Sequence, residues 1–383
     1  MSVILSIIRC CCPCFYQKDK QKPTKKVHKM EESTDASNCS ESKTSITNDG
    51  IEIPEFVIPD NYQTVEECLN ANNMKLLDVL GEGAFGSVYR MEDTKNHEIK
   101  ACKTLKIGGK HRSNQLYENI RSELRIMIDC KDKHKNIIKV YDWFIIRDTN
   151  MDLQKCYITM DLANGGTVLN MMNTGVRKTG QKYLKKLNEN KAKHYFRQTT
   201  EGLDFLHSNQ IAHKDLKLQN ILVFIDNNNN TETIKLTDFG LSGKRFSNKR
   251  KQILKDKEDV GTLEYMSPQV VKLYIYNQFN HKVGKIKEYD SFKADCWALG
   301  VCLYVMICIQ LPFTCIETNL ESVTKMHAEM VNRNIKNKVS KISSTNYSND
   351  CRDLILQLLE PDPSLRLTTK LVLKHKWLLE KDS

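Results

Sequence analysis

The stretch IAHKDLKLQNILVFIDNNNNTETIKLTDFG, residues 211–240, constrains this chain more than any other. Two carboxylates and one amide stand in it at close spacing: Asp215, Asn220 five residues on, and Asp238 just before Phe239 and Gly240. Residues 192–207 carry Phe196, Thr199, Leu203 and Leu206 on one stripe, which predicts an amphipathic helix leading into a short polar loop with Asp215. In such a loop Asp215 can accept a proton from an attacking hydroxyl, and the oxygens of Asn220 and Asp238 suit a hard cation such as Mg²⁺. Lys217 can hold a migrating phosphoryl group. The apolar runs 221–225 and 234–236, joined by four asparagines at 227–230, predict a β-hairpin that returns Asp238 to the same place.

A second segment handles phosphate in a different way. LGEGAFGSV, residues 80–88, spaces Gly81, Gly83 and Gly86 so that a strand-turn-strand can approach phosphates through backbone N–H groups. Val88 and Tyr89 follow the last glycine with β-type side chains instead of a helix, which argues against a dinucleotide-binding turn. Ala101, Cys102 and Lys103 come next; apolar flanks on a strand hold the ammonium of Lys103 inward, where it can meet phosphates. Residues 117–129 carry Ile120, Leu124 and Met127 or Ile128 at helical spacing, with Glu123 on the face that can meet Lys103 and Glu118 as the alternative.

Together these segments resemble the eukaryotic protein kinases of the Ser/Thr type, and most of all the calcium/calmodulin-dependent kinase-like group, over about residues 74–379. Here the catalytic triplet is His213-Lys214-Asp215, with Lys in place of the family's Arg, followed by Asn220 and by Asp238-Phe239-Gly240. The resemblance implies an α+β, two-lobed fold: a small antiparallel-sheet lobe with one helix over about 74–160, a hinge at 161–166, and a larger, mainly helical lobe over about 167–379. It implies ATP and Mg²⁺ and a protein substrate with Ser or Thr hydroxyls. Asp215 and Lys217 would be catalytic, and Asn220 and Asp238 would hold the metal. Leu80, Gly81, Glu82, Gly83, Ala84, Phe85, Gly86, Ser87, Val88, Ala101, Lys103, Met160 and Asp161 would surround ATP, with Glu123 paired to Lys103. Thr262, taken with Lys217, is the Ser/Thr pattern; Asp295 matches the residue that holds the catalytic loop's backbone, and Arg366 matches a buried arginine of the C-terminal lobe.

Three departures from the family stand out. Glu258, flanked by Asp256 and Asp259, occupies the place of a phosphorylated residue, which implies an activation segment held partly active by a carboxylate facing Lys214. Gln269 replaces the glutamate that would pair with Arg366, which implies a half-paired buried arginine. Thr167, Gln219 and Val305 stand where Arg-directed kinases carry acids, so no strong preference for basic substrates is expected. A nucleotide-binding pseudokinase scaffold or a membrane adaptor is the alternative, although Lys103, Asp215 and Asp238 are all present. No calmodulin-binding segment or C-terminal regulatory domain is expected.

The remaining chain bears on location. At 383 residues and 40% hydrophobic it can bury a sizeable core. Its net charge of +11 comes from lysines spread along the chain, so a solvated surface is expected and no nucleic-acid partner. Isolated Cys102, Cys302, Cys308 and Cys351 read as reduced thiols of the cytosol. The apolar run at 297–309 is shorter than the ~20 residues of a membrane span and reads as a buried helix. Residues 3–8 lack the features of a signal peptide. Residues 1–73 are expected to be a disordered tail. Within that tail Cys10, Cys11, Cys12 and Cys14 follow an apolar run and precede Lys18, Lys20, Lys22, Lys25, Lys26 and Lys29. Clustered thiols beside apolar residues suit S-palmitoylation, and the lysines suit anionic lipid, so attachment to the cytoplasmic face of a membrane is expected. Metal or redox use of the thiols, or an inert tail, are the alternatives.

Overall fold

The computed structural model describes residues 45–46, 52–53, 55–57, 65–83, 86–108, 114–148, 153–176, 182–244, 246–247, 252–253, 256, 259–281, 288–332 and 334–379. Cys10, Cys11, Cys12, Cys14, Ala84, Phe85 and Glu258 lie outside the described residues. The described chain forms two compact units, one containing residues 65–120 and 139–162, the other containing 121–138 and 163–379.

The first unit is built on a sheet of six strands: β1 (Glu55–Val57), β2 (Met74–Gly83), β3 (Gly86–Asp93), β4 (Glu98–Gly108), β5 (Val140–Asp148) and β6 (Leu153–Met160), in the order β1-β5-β6-β4-β3-β2. All neighbours are antiparallel except β1, which runs parallel to β5. One face of the sheet buries Met91, Cys102, Phe144, Ile146 and Tyr157, and the rings of Phe144 and Tyr157 stack with centroids 5.3 Å apart. A short helix, α1 (Val65–Ala71), docks on that face through Cys68 and Leu69. Within the expected disordered tail of residues 1–73, Glu55–Val57 and Val65–Ala71 are therefore ordered elements of this unit. Val65, Cys68 and Leu69 fall on one helical stripe, and the sheet supplies the partner that so short a helix needs.

The second unit is mainly helical, so the α+β division expected from the sequence is present. Helix α2 (Glu189–Ser208) starts where the Asn188 side chain accepts from Lys191 N at 2.8 Å, and it buries Tyr195, Phe196, Thr199, Leu203 and Leu206. Helix α3 (Pro268–Phe279) has proline in its first turn, where the missing N–H is no loss. Helix α4 (Ser291–Cys308) is capped by Asp290 and is buried on almost every face. It is long and apolar enough to cross a membrane, yet 78% of it is buried inside this fold, as befits a core helix.

Strands β7 (Ile221–Asp226) and β8 (Thr231–Leu236) form the expected hairpin, in register from Ile221 opposite Leu236 to Asp226 opposite Thr231. Asp226 closes the turn by accepting from Asn228 N, and Asn230 sits at φ 51°, a value asparagine tolerates. The segment before β5 runs beside this hairpin: Ile138 N donates to Leu236 O, and Leu236 N donates to Asn136 O. Beyond the hinge come a short helix (Val168–Met172) and two antiparallel strands, Asn173–Val176 and Lys182–Leu184.

Arg366 is 1% exposed and is not half-paired. Its Nε donates to Glu360 O at 2.9 Å, Nη1 to Lys293 O at 2.6 Å, and Nη2 to Gln269 Oε1 and Pro361 O at 3.1 Å each. The guanidinium also lies 5.1 Å from the centre of the Trp297 ring. Every nitrogen is satisfied, but by neutral oxygens, and burial lowers the Arg366 pKa to about 10.

Candidate active site

The loop with Asp215 is fixed from below by one buried carboxylate on α4. Asp295 Oδ2 accepts from His213 N at 2.8 Å and faces His207 Nε2 at 2.9 Å, and Oδ1 accepts from Lys214 N at 2.8 Å. His213 Nε2 faces Thr237 O at 3.1 Å, so that nitrogen carries the proton and Nδ1 is left to accept from Asp215 N. The His213 ring also packs on Phe239, which is fully buried. Lys214 and Asp238 both sit at φ 67°, in the left-handed region that non-glycine residues rarely occupy. Strain of that kind persists only where the surroundings impose it.

Asp215 is 8% exposed, and its carboxylate is met from three directions. Oδ1 accepts from Thr262 N at 2.9 Å and Thr262 Oγ1 at 2.8 Å. Oδ2 accepts from Lys217 Nζ at 2.7 Å and, more weakly, from Asn220 Nδ2 at 3.3 Å. Lys217 Nζ is also 2.9 Å from Thr262 Oγ1, which closes a ring of three side chains. The hairpin returns Thr237, next to Asp238, to Asn220, as its spacing predicted, while Thr262 reaches Asp215 from a separate segment.

Asn220 Nδ2 donates to Asp215 O at 2.8 Å, which occupies the amide nitrogen and leaves its oxygen as the hard donor for a cation. Asn220 O accepts from Thr237 N, so the two candidate metal residues are tied through neighbouring backbone. Among the described residues no group of three or more His, Cys, Asp or Glu could enclose a metal. One carboxylate and one amide oxygen nevertheless fit Mg²⁺, which keeps waters and is completed by substrate phosphates.

Glu123 is 3% exposed and lies at Gly240: a Cβ placed on Gly240 would stand 3.3 Å from Glu123 Oε2 and 3.6 Å from Asp238 Oδ1. In the sheet unit, Lys103 lies between Val88 and Ile158, and Ala101 lies opposite Met160, which puts Val88, Ala101, Lys103 and Met160 on one face. Asp161 Oδ1 accepts from Tyr141 OH at 2.7 Å. The strand-turn-strand at 81–88 is the tip of the β2–β3 hairpin.

Its glycines do not share one reason. A Cβ on Gly86 would fall 1.7 Å from Thr104 O, so the sheet itself demands glycine there, while a Cβ on Gly81 meets nothing within 4 Å.

One reading needs correction. Val305 is fully buried in α4 and cannot face a substrate, so it says nothing about selectivity. Lys214 makes an ion pair with Asp256, at 2.7 Å; Glu258, the partner expected from the sequence, lies outside the described residues. The other selectivity positions differ from one another: Thr167 Oγ1 is bonded to Asn170 Oδ1, while the amide atoms of Gln219 are buried without a hydrogen-bond partner among the described residues.

A fold and site of this kind define a phosphotransferase, and residues 74–378 match the family described as "Protein kinase domain". Mouse testis-specific serine/threonine-protein kinase 3 is 31% identical over 82% of this chain and 99% of its own length. Serine/threonine-protein kinase SAPK3 of Oryza sativa subsp. indica is 30% identical over 79% of this chain and 77% of its own. CBL-interacting protein kinase 20 of Oryza sativa subsp. japonica is 29% identical over 78% of this chain, which spans only about half, 55%, of that relative. The chain belongs to the protein kinase family, among its serine/threonine kinases.

Proposed function

We propose that this chain transfers the γ-phosphoryl of Mg·ATP to Ser and Thr hydroxyls of protein substrates, with Asp215 orienting the hydroxyl and accepting its proton. The observation that carries the reading is the ring of Asp215, Lys217 and Thr262, which holds a buried carboxylate in one rotamer beside an ammonium. A general base must stand within hydrogen-bond reach of its proton, and such a brace removes its freedom to stray. Lys217 faces both the carboxylate and the place where charge builds on the transferred group. Asn220 and Asp238 hold Mg²⁺, which when bound screens the phosphate charge. Lys103 positions the phosphates beneath the backbone of residues 80–88, and Met160 and Asp161 border the base.

The test is transfer from Mg·ATP to a mixed Ser/Thr peptide library. Asp215→Asn keeps size and hydrogen bonding, so loss of transfer with nucleotide still bound supports the assignment. Equal rates in parent and variant would refute it.

The N-terminal sequence supports a second feature. Cys10, Cys11, Cys12 and Cys14 take acyl chains, and the following lysines add attraction to anionic lipid, which places the kinase on the cytoplasmic face of a membrane. Replacing the four cysteines by serine releases the protein to the soluble fraction. Unchanged membrane fractionation would contradict this.

A further inference from the structure

Lys214 directly precedes Asp215, yet its side chain is only 4% exposed. Its Nζ lies 2.7 Å from Oδ2 of Asp256, itself 3% exposed. The same oxygen accepts from Ser291 Oγ at 3.0 Å. The Asp256 backbone exchanges two hydrogen bonds of 2.8 Å with Tyr289. Ser291 opens α4, the helix whose Asp295 also accepts from Lys214 N. Lys214 is therefore bonded at both ends to one rigid frame, its backbone through Asp295 and its side chain through Asp256.

Six residues after Asp256 stands Thr262, whose N–H and hydroxyl both bond Asp215 Oδ1. So short a tether spans at most about 20 Å, and Asp256 fixes where the segment begins while Asp215 fixes where it ends. A buried ammonium and a buried carboxylate are each costly when separated, so the pair favours the docked arrangement over a released one. Both charges are encoded in the chain, and no covalent modification has to supply the anion.

We propose that Asp256 is a positioning residue: through Lys214 it holds the segment ending in Thr262 against Asp215, so that transfer proceeds without a phosphate on that segment. This rests on Asp215 being the catalytic carboxylate, as proposed above.

The experiment uses the full chain, treated with phosphatase and shown by mass spectrometry to carry no phosphate, with initial rates of peptide phosphorylation as the readout. The parent is expected to be active, and Lys214→Arg, which preserves the ion pair, to match it. Asp256→Asn is expected to lower kcat about 100-fold, the effect of misplacing a reacting group by roughly 1 Å, with KM for ATP unchanged. Because that variant takes the Asp256 carboxylate from a buried ammonium, the double variant Lys214→Met with Asp256→Asn serves as the control. It removes both charges, and it is expected to melt with the parent and still show the low kcat.

Parent-like kcat in the double variant would overturn the proposal, since compensation of charge alone would then suffice. Loss of parent activity on dephosphorylation would overturn it as well. A folded parent inactive in every phosphorylation state would instead remove the phosphotransfer reading, and this proposal with it.

Discussion

Replacing Gln269 by Glu should stabilise this protein, because it offers a carboxylate to a guanidinium that is buried among neutral acceptors. The magnitude follows from Arg366. Burial takes its pKa from 12.5 to about 10, which corresponds to about 3 kcal/mol of lost preference for the charged form. Gln269 Oε1 is already 3.1 Å from Arg366 Nη2, so a carboxylate at that position needs no rearrangement. Two terms oppose the gain. The new carboxylate must itself be partly desolvated, and the bond from Gln269 Nε2 to Pro361 O is lost, although Pro361 O keeps its bond from Arg366. A net gain of about 1–2 kcal/mol remains, or roughly 4 °C in melting temperature for a domain of this size. Thermal denaturation of Gln269→Glu, repeated in an Arg366→Met background, isolates the pair. A melting temperature unchanged or lowered by Gln269→Glu, or the same gain in both backgrounds, would refute the reasoning. Phosphotransfer should be unaffected, since neither residue belongs to the site.

Stability should also fall in mild alkali. Burial pushes the thiols of Cys102 and Cys296 up to about 12 from 9.0, so the folded chain keeps protons that the unfolded chain releases. Their contribution is whole below pH 9 and declines as pH rises from 9 towards 12; at pH 10 the loss is about 1.4 kcal/mol per thiol. Arg366 acts in the opposite sense only above about pH 10. Urea midpoints at pH 8 and pH 10 check this, and a midpoint independent of pH would count against it. In the hairpin tip, Gly86→Ala should unfold the sheet unit, because its Cβ meets Thr104 O at 1.7 Å, while Gly81→Ala should melt within about 1 kcal/mol of the parent. Equal melting of the two would show that the sheet does not set the requirement at Gly86.

The sequence carried those parts of the site whose geometry is local. The β7–β8 hairpin is encoded by two apolar runs around an asparagine turn, and α2 by its stripe, so residues 215–220 could be placed beside residue 238 in advance. Parts that depend on distant contacts were not legible. Helix α1 has only three apolar residues on its stripe, and nothing local reveals the sheet face that receives Cys68 and Leu69. Val305 stands at a selectivity position by resemblance alone, and a helix buried on almost every face gives it no access to a substrate. Asp256 looked like one acid among three, and its pairing with Lys214 joins residues 42 positions apart, for which no spacing rule exists. Similarly, Arg366 looked half-paired because side-chain charges can be counted in a sequence, whereas the backbone carbonyls of Lys293, Glu360 and Pro361 cannot.

The strained residues show where the fold's stability is spent on the chemistry. Lys214 at φ 67° is about 1–3 kcal/mol above an ordinary backbone conformation, and what holds it there is the bond from its amide to Asp295. Asp295 accepts from the amides of both His213 and Lys214 and also faces the His207 ring. An asparagine there has one acceptor oxygen, and its NH₂ must point at a group that also donates. Asp295→Asn therefore leaves at least one buried N–H without an acceptor, at a loss of about 1–3 kcal/mol, and that loss falls on the loop and not on the helix. The loop amides of His213 and Lys214 should then exchange hydrogen about 10-fold faster or more, while those in the middle of α4 keep their protection. kcat should drop with KM for ATP unchanged, because Asp215 would be mispositioned and the nucleotide contacts would not. Unchanged exchange at residues 213 and 214 would mean that Asp295 does not hold the strain, and that the braces on Asp215 from Lys217 and Thr262 suffice alone.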